Sequence, residues 1–142
     1  MKTVHQILNT KPLQIFSVTP STSVLDALKL MTEKNISALL IMEHDELLGI
    51  FTERDYARKI ILHGKSSIDT PISEAMTTNP ITVKPTDSIE LCMELMTEKH
   101  IRHLPVATAD KVVGMVSIGD VVKFIIADQK QTISQLESYI NS

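Results

Sequence analysis

Leu30-Met31-Thr32-Glu33-Lys34 returns unaltered as Leu95-Met96-Thr97-Glu98-Lys99, 65 residues further along the chain. Extended outward, that register aligns Val18 to Ile61 with Val83 to Ile126 without a gap, and 15 of the 44 aligned positions are identical. The matches include Pro20/Pro85, Ser23/Ser88, Gly49/Gly114 and Asp55/Asp120. They fall where a chain caps, turns or ends an element, so they indicate two copies of one supersecondary unit.

The period of the apolar residues assigns the elements. Ile15 to Val18 reads as a short strand ended by Pro20, which cannot donate to a sheet ladder. Ser23 is an N-cap, after which Val24, Ala27, Leu28 and Met31 share one helical face; Ser88, Ile89, Cys92, Met93 and Met96 repeat the pattern. Two apolar runs, Ala38 to Met42 and Leu47 to Phe51, flank Glu43-His44-Asp45-Glu46 as a hairpin, with His103 to Ala107 and Val112 to Val116 as counterparts. A last helix is expected over residues 52–63, with Gly64 as its C-terminal cap, and its twin over residues 117–128.

Each unit is thus β-α-β-β-α, and its apolar runs need cover on both faces. The expected fold class is α/β (α+β), with two repeats packed in pseudo-twofold symmetry and short helices at the N- and C-terminal flanks. The expected boundaries are an N-terminal helical segment 1–14, repeat one 15–64, a linker 65–79, repeat two 80–128 and a C-terminal helix 129–142. Val4, Ile7 and Leu8 mark the first flank; Ile133, Leu136 and Ile140 form an apolar stripe on the second.

Composition narrows the function classes. The 142 residues are 43% hydrophobic and 22% charged, with a formal net charge of -3. No block of like charge offers the basic face that sequence-independent nucleic-acid binding needs, so DNA and RNA are not expected as partners. The longest apolar runs fall short of the roughly 20 residues of a membrane helix, and residues 1–6 lack the apolar core of a signal peptide. A cytoplasmic location follows as the expectation. The single cysteine, Cys92, reads as a small apolar residue on a helix face.

The element order, with Gly49-Ile50-Phe51-Thr52-Glu53-Arg54-Asp55 and Gly114-Met115-Val116-Ser117-Ile118-Gly119-Asp120 closing the two hairpins, resembles the CBS-domain family. Ile101-Arg102-His103-Leu104-Pro105-Val106 is also typical of it. The similarity covers about residues 10–128 and occurs twice at matched spacing; Glu53-Arg54-Asp55-Tyr56 and Thr132-Ile133-Ser134-Gln135-Leu136 further resemble stand-alone CBS pairs. The resemblance implies a disc-shaped pair that dimerises with a second copy and binds AMP, ATP, ADP, NAD or NADH in clefts between repeats, as a regulatory ligand read by an effector protein.

Carried over by position, Asp55 and Asp120 match the acid that holds ribose hydroxyls, and Thr52 and Ser117 the hydroxyl residue beside it. Arg102 and His103 match the polar pair that faces phosphate. Val18, Ala38, Leu39 and Pro105 complete the implied ligand set. Arg54, Arg58 and Lys59 would neutralise phosphate if they face the cleft; the other reading is a solvated helix face, favoured for Arg58 and Lys59. The chain departs from the family where Arg54 and Gly119 precede the two acids, and where Ile36-Ser37-Ala38-Leu39-Leu40 carries no Arg-His pair. The two clefts are therefore expected to be inequivalent.

A hydroxyl residue followed three positions later by Asp at a strand-to-helix junction is also a capping box. Capping and ligand holding use one geometry, because a helix N-terminus is itself an anion site. His100 and His103 have metal-like spacing, but a break from helix to strand between them spoils it, and no metal is expected. The glycines form neither a P-loop nor a dinucleotide fingerprint, and Cys92 has no nearby base, so no catalytic residue is expected. Two readings remain: an adenine-nucleotide sensor, or a dimerisation and interaction module that binds no ligand.

Overall fold

The Ser23 hydroxyl accepts the Asp26 backbone N–H at 3.0 Å, and the Ser88 hydroxyl that of Leu91 at 3.1 Å. These caps start helices α2 (Val24–Lys34) and α4 (Ile89–Lys99), preceded by a one-turn helix α1 (Val4–Leu8). Both α2 and α4 stop at a residue in the left-handed region, Asn35 and His100, each with φ 54°. The computed structural model describes residues 2–12 and 14–140. Met1, Leu13 and residues 141–142, all within the expected flanking segments, lie outside the described residues.

The hairpins form with tight turns. Strands β2 (Ala38–Glu43) and β3 (Glu46–Thr52) turn at His44-Asp45, and β5 (His103–Thr108) and β6 (Lys111–Ser117) at Ala109-Asp110. All four turn residues have φ between 49° and 65°, the two-residue turn whose twist suits a hairpin. Ladder irregularities fall at Ile41/Met42 and Val106/Ala107, the same repeat position.

The leading strands differ between repeats. Strand β1 is confined to Ser17–Val18 and runs parallel to β2, where the Leu40 N–H donates to the Phe16 carbonyl at 3.3 Å. The position matching Leu40 in the second repeat is Pro105, which has no N–H to give. There the leading strand shrinks to a single bridge, Val83 to Val106. A short strand β4 (Thr77–Thr78) instead joins β3, making a four-stranded sheet β1-β2-β3-β4 beside the two-stranded β5-β6.

Each leading segment crosses to the other repeat. Val4, Ile7 and Leu8 of α1 are buried in the second core with Ile89, Cys92, Leu104 and Val116. Ile72 and Ala75, in the stretch expected as linker, are buried in the first core with Val24, Leu39 and Phe51. Strand alternation supplies a third layer: Ala38, Leu40 and Ile50 face Val112 and Met115 between the repeats. Both sheet faces are thereby covered, and the pseudo-twofold arrangement is completed by exchanged segments.

The helices that follow the hairpins also differ. The first, α3 (Glu53–Asp55), continues as a π-helix over Tyr56–Ile61. It ends where the Gly64 N–H donates to Ile61 and that of Lys65 to Ile60, the paired bonds of a glycine-capped terminus with Gly64 at φ 64°. Its counterpart α5 is one unbroken helix, Ile118–Ile140, with no interruption where a separate C-terminal helix was expected. No helix among the described residues is long and apolar enough to cross a membrane.

Candidate functional site

Two clefts lie between the repeats, each assembled from matching positions. The first, of about 700 Å³, is lined by Ile50, Thr52, Arg54 and Asp55 of one repeat, by Thr77, and by Arg102 and His103 of the other. The second, of about 380 Å³, is lined by Met115, Ser117 and Asp120, by Pro12, Gln14, Ile15 and Phe16, and by Ser37, Ala38 and His103. The Ser37 hydroxyl lies 3.1 Å from His103 Nε2, and both residues line both clefts, so this hydrogen-bonded pair is their shared wall.

Asp55 is buried, at 8% exposure, and both its oxygens are engaged. The Thr52 backbone N–H donates to Oδ2 at 3.0 Å and the Thr52 hydroxyl at 3.2 Å; the Thr77 hydroxyl donates to Oδ1 at 3.0 Å, with Lys59 Nζ at 3.3 Å. A carboxylate offers about four acceptor sites, and these four donors fill them. Any ligand that hydrogen-bonds this carboxylate must therefore displace its outer donors, Thr77 and the half-exposed Lys59.

Asp120 accepts the Ser117 N–H at 2.9 Å and Lys11 Nζ at 2.7 Å, both on Oδ2. Lys11 also donates to the Met115 carbonyl at 2.8 Å. Burial alone would raise the Asp120 pKa, but the Lys11 and Ser117 hydrogen bonds outweigh it and hold the carboxyl below its usual range. His103 is held below its usual range chiefly by burial, against the opposing charge of Asp120, so its ring is neutral at pH 7.

Cations separate the clefts. Arg54, Arg58, Lys59, Lys99 and Arg102 line the first, and Lys11 alone the second. Arg54 also donates to the His100 carbonyl of the other repeat, at the negative C-terminal end of α4. Cys92, buried on α4, has its thiol pushed up to about 11, by burial first and then by Asp87, and stays protonated.

The structure gathers most of the expected residues and excludes three. Thr52, Arg54, Asp55, Arg102 and His103 meet in the first cleft; Ala38, His103, Ser117 and Asp120 meet in the second. Val18, Leu39 and Pro105 line neither. Leu39 points the opposite way from Ala38 and is wholly buried in the first core. Pro105 is buried within β5, opposite Met115, and half-buried Val18 packs on the first core. Sequence reasoning missed Lys11 and Thr77, because both precede the aligned repeat. It treated Lys59 as a solvated helix residue, although its spacing of four from Asp55 was readable as a helical ion pair.

Comparison with known proteins agrees with this architecture. The CBS domain family model matches residues 4–62 and again 72–127. The chain is 42% identical over 127 residues to the CBS domain-containing protein CBSX3, mitochondrial, of Arabidopsis thaliana; the match covers 86% of this chain and 62% of that protein's length. Among solved structures, a protein with CBS domains from Burkholderia ambifaria superposes with a TM-score of 0.87 at 50% identity, covering 90% of this chain and 96% of that one. CBSX2, solved in complex with AMP, superposes at 0.76 and 25% identity, covering 91% and 99%.

Proposed function

The chain belongs to the CBS-domain family as a tandem pair, and from that premise we propose that it is a non-catalytic regulatory sensor whose first cleft binds a phosphate-bearing adenine nucleotide. The observation that carries the reading is the charge of that cleft: five basic side chains stand against two acids, buried Asp55 and exposed Glu53. Guanidinium and ammonium groups suit phosphate oxygens, and the aspartate at a helix start suits a ribose diol, the task an acid performs in dinucleotide folds. The AMP complex of CBSX2 supports that ligand class. We take the working unit to be a cytoplasmic homodimer whose shape or packing is read by an effector protein. A ligand shifts such an equilibrium only by its differential affinity for the two states.

The test is a thermal-shift panel of AMP, ADP, ATP, NAD, NADH, S-adenosylmethionine and GMP on the native protein, Asp55→Ala and Asp120→Ala. A ligand at a hundred times its dissociation constant adds about 2.7 kcal/mol, roughly 5–10 °C for a chain this size. We expect a rise with adenine nucleotides that Asp55→Ala loses and Asp120→Ala keeps. The reverse pattern would move the site to the second cleft. A flat panel favours the interaction module, which the capping boxes support, since Thr52-Asp55 and Ser117-Asp120 satisfy each other without a ligand.

A further inference from the structure

Helix α5 changes character along its length. Up to Ile125 its inner face packs on the second core through Val121, Phe124 and Ile125. From Gln129 to Ile140 every residue is exposed, Ile133 at 54%, Leu136 at 57% and Ile140 at 78%. A helical stretch of that length is marginal alone in water, and its apolar residues are not scattered. Val122, Ile126, Gln129, Ile133, Leu136 and Ile140 follow alternating steps of four and three, the heptad seam of a coiled coil, with isoleucine at three a positions and Val122, Gln129 and Leu136 at d.

We infer that this seam is covered by the same seam of a second copy, as a parallel two-stranded coiled coil. The inference rests on the homodimer part of the reading above and not on its nucleotide. β-Branched residues at a with leucine at d favour two parallel strands. Gln129 selects the direction. In a parallel pair it meets its own copy, and each amide both donates and accepts. In every in-phase antiparallel register a d residue faces an a residue, so Gln129 would be buried against isoleucine. Antiparallel pairing brings Lys130 toward the copy's Glu137, but such a surface ion pair is worth less than an unsatisfied buried amide costs. Parallel pairing sets Glu137 beside Thr132 and Lys130 beside Ile125, with no like charges facing.

The test uses the full chain carrying Ile126→Cys, which leaves Gln129 in place, oxidised and run without reductant; native Cys92 is buried. We expect a linked dimer, lost when Ile133→Lys and Leu136→Lys are added. Those two changes should raise the dimer dissociation constant more than about tenfold while leaving the thermal melt of dilute protein unchanged. A native protein that is monomeric by light scattering overturns both the homodimer reading and the seam. A dimer that does not link through position 126, or that links Ile126→Cys to Leu136→Cys in a mixture, leaves the homodimer standing and overturns the parallel seam.

Discussion

In the first cleft the acid is answered by Lys59 of its own repeat; in the second the matching position is Phe124, and the cation is Lys11 from the segment ahead of the other repeat. The same exchange alters size and charge: about 700 Å³ with five basic residues against about 380 Å³ with one. The hydroxyl-x-x-Asp box is shared, so it fixes where an acid stands and not what it will hold. Side chains outside the box set the volume and charge of each cleft.

The largest expected difference between the two repeats lies at the glycines under the crossing segments. A Cβ at Gly49 would lie 2.6 Å from Met76 Sδ and 2.9 Å from the Thr77 carbonyl oxygen, so backbone that positions an Asp55 donor must move. At Gly114 the nearest atom is a terminal carbon of Leu8, 2.9 Å away, which can rotate aside. Gly49→Ala is expected to cost about 1–3 kcal/mol and Gly114→Ala under about 1 kcal/mol in denaturant unfolding, since overpacking is expensive where nothing can yield. Equal losses would show that the two segments are seated alike.

A smaller contrast separates the cations. Lys11→Ala removes a short charge-assisted hydrogen bond from a half-buried acid and should cost about 1–2 kcal/mol. Lys59→Ala removes a more exposed pair with spacing of four and should cost about 0.5 kcal/mol or less. If Lys59→Ala proves the costlier, Asp55 and not Asp120 depends on its ammonium partner. Acid titration sharpens the point. The folded Asp120 pKa is depressed, so its contribution is present above the unfolded value of about 3.9 and is lost as pH falls further. Lys11→Ala should shrink that loss.

The smallest effect belongs to the shared wall. The folded His103 pKa lies below the usual value of about 6.5, so the unfolded chain takes the proton first. Stability from this group is complete above that pH and declines as pH falls from there toward the folded value. His103→Gln, which can still bond Ser37, should flatten the slope of melting temperature as pH falls below about 6.5. An unchanged slope would assign it to another histidine.

What the sequence made legible was whatever carries a local signature. Ser23 and Ser88 cap as read, Gly64 closes α3, and the hairpins follow from alternation and turn residues. The acids and hydroxyls of both boxes stand in the clefts for the same reason. Lys11 and Thr77 were illegible because their partners lie 109 and 22 residues away and neither belongs to the repeat. Leu39 and Pro105 were assigned by family position, although strand alternation already turned Leu39 inward and a missing N–H already weakened the second leading strand. The continuity of α5 through residue 128 shows that no breaker was present in the sequence to divide it.

The crossing of the leading segments also sets an order of events during synthesis. The first core has its last main contributors, Ile72 and Ala75, as soon as they are made, whereas α1 waits for Val116 and Val121 before its apolar face has anywhere to go. At roughly 5–20 residues per second that wait lasts several seconds. During it Val4, Ile7 and Leu8 have no core to enter, so α1 docks among the last elements of the molecule.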